Sequence, residues 1–77
     1  MPTIIAIAHT SYGYIYILTD KEGRKILEFS LSYTEDILLR NKYNPIHSVY
    51  TGKGKVRDHK HCLTDLSTLE STIARYY

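Results

Sequence analysis

Seventy-seven residues, 43% of them apolar, suffice for one core in a single domain, 1–77, and are too hydrophobic for a disordered tail. The lone cysteine, Cys62, excludes an intramolecular disulfide and a cysteine-based zinc site, the usual staples of small secreted domains. The net charge of +2 hides an asymmetry: residues 40–61 hold six bases and one acid, the rest of the chain four bases and seven acids.

The N-terminal MPTIIAIAHT lacks a basic n-region, and His9 breaks its apolar run. It reads as neither signal peptide nor membrane span, so a cytoplasmic protein is expected. Thr3 to His9 reads as a strand, with Ile5 and Ile7 on a bulky face and Ala6 and Ala8 on a small one. Tyr12 to Thr19 (YGYIYILT) is rich in aromatic and β-branched residues and apolar on both faces, which predicts a central strand. Gly13 within it suggests a bulge or a close backbone approach.

Asp20-Lys21-Glu22-Gly23 has the composition of a tight turn, and Arg24 to Leu31 follows as the return strand of a hairpin. Ser32 and Glu35 are spaced as a capping box that opens a helix, and Asn44-Pro45 closes it. Ile46 to Thr51 reads as a short strand. A glycine-softened basic loop follows, and a last helix runs from a Thr64 cap with Leu66, Leu69, Ile73 and Tyr76 as its apolar stripe. The order β-β-β-α-β-α predicts an α+β fold, a small mostly antiparallel sheet with two helices packed on one face. The stripe is expected to lie against Ile15, Ile17 and Leu27, and Cys62 to be a partly buried filler.

Two features point to a macromolecular partner. The basic loop carries Lys53, Lys55, Arg57 and Lys60, with His59 and His61 among them, and suits an anionic surface. Its imidazoles, with Asp58, resemble a metal set, but the flanking lysines oppose a cation. Tyr12, Tyr14 and Tyr16 project from one strand face, which becomes a stacking or protein-binding platform if no helix covers it. His9 and His47 fall on strands and read as structural.

Gly13-Tyr14-Ile15-Tyr16-Ile17-Leu18 resembles the opening motif of the GIY-YIG nuclease superfamily. That resemblance implies a hairpin, helix, strand, helix order and a phosphodiester-cutting site around one divalent ion such as Mg²⁺. Its residues would be Tyr16 as base, Lys25 in place of the second tyrosine, Arg40 on the first helix and Glu70 as metal ligand. Leu27 stands where that pattern keeps a glycine, and Arg40 falls several residues late. In size and character the chain is also similar to small virus-encoded inhibitors of host defence, including anti-CRISPR proteins. A non-enzymatic binding protein without a cofactor, engaging nucleic acid or a nucleic-acid-handling protein, is therefore the first reading, and the metal-dependent nuclease the alternative.

Overall fold

The structure, a computed structural model, describes residues 2–10, 13–47 and 62–77. Strands β1 (Thr3–Thr10), β2 (Gly13–Thr19) and β3 (Lys25–Leu31) are followed by helix α1 (Tyr33–Tyr43) and strand β4 (Ile46–His47). Strand β5 (Cys62–Thr64) and helix α2 (Leu66–Tyr76) complete the order. One five-stranded sheet runs β4-β1-β2-β3-β5. Its centre is an antiparallel meander, and the short edge strands β4 and β5 run parallel to β1 and β3.

The α+β class and the mostly antiparallel sheet match the expectation. Strand β5 adds to it: Cys-Leu-Thr is too short to display the period-two alternation by which strands are read. Cys62, expected as a partly buried filler, is exposed on this edge, its Sγ 3.8 Å from the carbonyl of Glu28.

The β2–β3 turn forms because the Asp20 carboxylate accepts from the backbone N–H of Glu22 and of Arg24, each at 2.9 Å. Gly23 takes the left-handed conformation that this closure requires, φ 86°. Gly13 faces open space, and the β1–β2 register shift falls instead across Ala6 and Ala8. Helix α1 ends where its sequence ends it: Asn44 turns left-handed, φ 49°, and returns its N–H to the Arg40 carbonyl ahead of Pro45.

The helix starts differ from expectation. Ser32 caps α1 without accepting a backbone N–H; its hydroxyl donates to Glu35 Oε1 at 3.1 Å. The other Glu35 oxygen accepts from Leu66 N at 3.3 Å and so joins the starts of the two helices. Helix α2 is capped by Asp65 rather than Thr64, its carboxylate accepting from Thr68 N at 2.7 Å. Carboxylate and hydroxyl are comparable caps, so adjacent candidates were not separable by type.

Register decides the faces. Ile4, Leu18 and Leu27 form one cross-strand row, and Ala6, Tyr16 and Phe29 the next. This face meets Leu39 of α1 and Leu69 of α2, and Tyr16, Leu18, Phe29, Leu39 and Leu69 are wholly buried. Leu66 and Ile73 pack against the same cluster, as does Leu27, whereas Tyr76, expected in the same stripe, is exposed near the end of α2. Ile15 and Ile17 are buried on the opposite face, so the expected packing of the α2 stripe on them is corrected to Tyr16, Leu18 and Phe29. Their apolar character suited either face, and alternation alone does not say which one the helices cover.

A second register shift, between Leu18 and Thr19, sets Lys25 opposite Thr19. Lys25 thereby reaches the face of Glu28, whose buried carboxylate lies 3.5 Å from its ammonium. At the same end of the sheet the Tyr77 hydroxyl donates to the Thr19 carbonyl, tying the C-terminus to β2. No helix among the described residues is long and apolar enough to cross a membrane.

Candidate functional site

Alternation along β2 brings Tyr14 and Tyr16 to the helix-covered face, and α1 sends Asp36 and Arg40, one turn apart, toward them. Tyr16 donates to Asp36 Oδ1 at 2.5 Å, and Arg40 Nε lies 3.0 Å from Asp36 Oδ2. The second contact is an ion pair rather than an aligned hydrogen bond. Asp36, 3% exposed, thus meets a phenol and a guanidinium inside the fold.

Tyr14 is half-buried at the margin of this group. The Arg40 guanidinium lies 5.3 Å from its ring centre, His9 of β1 packs at 4.6 Å, and His47 of β4 meets it edge-on at 5.4 Å. Tyr16 stacks on Phe29 at 5.4 Å. The open three-tyrosine platform is therefore corrected: Tyr16 is core, Tyr14 is framed by cation-forming side chains, and Tyr12 lies outside the described residues.

Burial pushes the Tyr16 phenol far above its ordinary value near 10, and its hydrogen bond to the Asp36 carboxylate adds to the rise. Tyr43 moves in the same direction, by burial first and by Glu70 second. A phenol held this way donates its proton and does not serve as a base near neutral pH.

The sign for stability follows from linkage. The unfolded chain releases tyrosine protons near pH 10 while the folded chain retains that of Tyr16. The contribution is complete below about pH 10 and declines above it. Titrating tyrosinate absorbance beside circular dichroism is expected to show a late phase that coincides with unfolding. Tyr16→Phe should shrink that late phase, whereas one phase with the fold intact would contradict the assignment.

The residues that the nuclease resemblance implies are distributed over three local arrangements. Tyr16 and Arg40 meet through Asp36. Lys25 stands opposite Thr19 and beside Glu28, farther along the sheet. Glu70 of α2 accepts from the Lys42 ammonium and from the Tyr43 hydroxyl, the latter at 2.5 Å. The hydrogen bonds from Lys42 and then Tyr43 hold the Glu70 carboxyl below its ordinary range.

A divalent ion at Glu70 would have to displace Lys42, so this arrangement does not fit the Mg²⁺ that the resemblance implies. Among the described residues, no three His, Cys, Asp or Glu side chains come together as a metal ligand set. Lys53, Lys55, Arg57, His59, Lys60 and His61 lie outside the described residues, and the described residues on either side of that segment, His47 and Cys62, stand on opposite edge strands.

Sequence reasoning missed Asp36 and the placement of His9 and His47 beside Tyr14. The Asp36–Arg40 spacing carried a usable signal for an i,i+4 pair. Nothing local announced that β4 returns beside β1. Comparison with known proteins brings no match, whether with a family model, a curated protein or a solved structure.

Proposed function

We propose that the chain is a non-enzymatic binding protein that engages a macromolecular partner, either nucleic acid or a protein that handles it. Its size and style suit a virus-encoded inhibitor. The observation that carries the reading is the internal pairing of the groups a metal-dependent nuclease would need. Tyr16 and Arg40 are held by Asp36, and Glu70 by Lys42 and Tyr43. What remains for an external partner is the cation excess of residues 53–60, four bases against one acid.

Lys53, Lys55, Arg57 and Lys60, with His59 and His61, are assigned the main contact, and Tyr14 an adjoining one; Tyr12 is carried as a further contact. Lysine side chains reach a surface of opposite charge without a preformed pocket, and each phosphate contact releases a counterion.

The test combines binding and cleavage. Fluorescence anisotropy with single- and double-stranded oligonucleotides is expected to give an affinity that falls steeply with salt. An acidic protein partner would instead show salt acting mainly on the association rate. Reversing Lys53, Lys55 and Arg57 to glutamate together should weaken binding about tenfold or more, since each removes one favourable charge and adds an unfavourable one. Incubation with Mg²⁺ or Mn²⁺ should leave the oligonucleotides intact. Cleavage that disappears in Glu70→Ala would establish the nuclease reading instead.

A further inference from the structure

Outside the charge run, the structure gathers cation-forming side chains around the ring of Tyr14. His9 comes from β1, His47 from β4 and Arg40 from α1, with ring or guanidinium centres 4.6, 5.4 and 5.3 Å from the Tyr14 centroid. Both imidazoles are exposed, while Asp36, the carboxylate in contact with Arg40, is buried beneath the group and also accepts from Tyr16.

We propose that His9, Tyr14, His47 and Arg40 form an acid-strengthened binding site for a tetrahedral oxyanion such as sulfate or a phosphodiester. The charges explain the acid dependence. With neutral imidazoles, the Arg40 guanidinium and the Asp36 carboxylate cancel, and the group carries no net charge. Two imidazolium protons bring it to +2.

Imidazole is the side chain whose ordinary charge change falls between pH 5 and 8, whereas guanidinium stays charged and phenols stay neutral there. Asp36 grips Arg40 from the buried side, so α1 sets the guanidinium's position. The Arg40 guanidinium lies over the Tyr14 ring and is attracted by its π face. An oxyanion seated against the exposed imidazoles would relieve the repulsion that their protonation creates. A unit charge about 4 Å away in water-like surroundings is worth a several-fold change in affinity, so two should give about tenfold.

Sulfate is the probe, because it remains a dianion from pH 5 to 8 and any pH dependence then belongs to the protein. The full chain is titrated with sodium sulfate at pH 5.5 and 7.5 against chloride of equal ionic strength, and each histidine ring is followed by ¹H–¹⁵N NMR. Both rings are expected to shift, with affinity about tenfold tighter at pH 5.5. The double variant H9Q/H47Q changes two exposed side chains, so it should keep the circular dichroism of the fold while losing the acid gain.

The variant K53E/K55E/R57E should retain the gain. Sulfate binding there, alongside lost oligonucleotide binding, separates this site from the proposed function, which can fail without it. Dimethyl phosphate in a parallel titration distinguishes sources: an acid gain with both anions supports a nucleic-acid backbone, and a gain with sulfate alone supports a free dianion. An affinity equal at the two pH values, or an acid gain that survives in H9Q/H47Q, overturns the proposal.

Discussion

Replacing Leu69 by alanine is expected to lower the free energy of unfolding by about 2–5 kcal/mol, the range for a leucine truncated in a closed core. Leu69 has no solvent exposure and joins α2 to Tyr16, Leu18 and Phe29, with Leu66 and Ile73 on either side of it along the helix. A chain of this length has about 4–10 kcal/mol of net stability, so the change removes a large fraction of it. Urea unfolding followed by circular dichroism measures the loss. A value below about 1 kcal/mol would place α2 at the periphery of the fold, contrary to the burial of Leu69 and the packing of Leu66 and Ile73 on the core.

Asp36→Ala is expected to cost about 1–4 kcal/mol. It leaves the buried Tyr16 hydroxyl without its acceptor, a penalty of about 1–3 kcal/mol, and removes the partner of Arg40. The Arg40 side chain is 38% exposed and can be resolvated, so its share is small. Tyr16→Phe in the same background should restore part of the loss, because the orphaned hydroxyl is then gone. A double-mutant cycle over Tyr16 and Asp36 measures that coupling, and additive losses would show that the hydrogen bond contributes little.

The fold was legible where residue chemistry acts locally. Asp20 and Gly23 announced a turn that the Asp20 carboxylate does close, and Asn44-Pro45 announced a helix end that the left-handed Asn44 does make. The burial of Leu66, Leu69 and Ile73 followed from their spacing. The face of β2 was not legible, because Tyr14-Ile15-Tyr16-Ile17-Leu18 is apolar on both sides and only the register with Ile4 and Phe29 shows which side meets the helices. Nor was β5, whose three residues pair in parallel with a strand far back in the chain.

At the candidate site the same division holds. Tyr14, Tyr16 and Arg40 stood out by type, whereas their grouping with His9 and His47 depends on β4 lying against β1. Asp36 is a first-turn acid by position, and its burial depends on how the helix lies on the sheet.

The central place of β2 bears on how the protein behaves in concentrated solution. Tyr14-Ile15-Tyr16-Ile17-Leu18 is uncharged, strongly β-prone and free of proline, the composition from which cross-β assemblies grow. Folding places it on β2, bonded on both sides by β1 and β3. Its peptide groups are thereby taken up within the sheet and not offered to another molecule. The hazard is therefore hidden by the native state, and resistance to fibril formation rises and falls with the fraction of chains that stay folded.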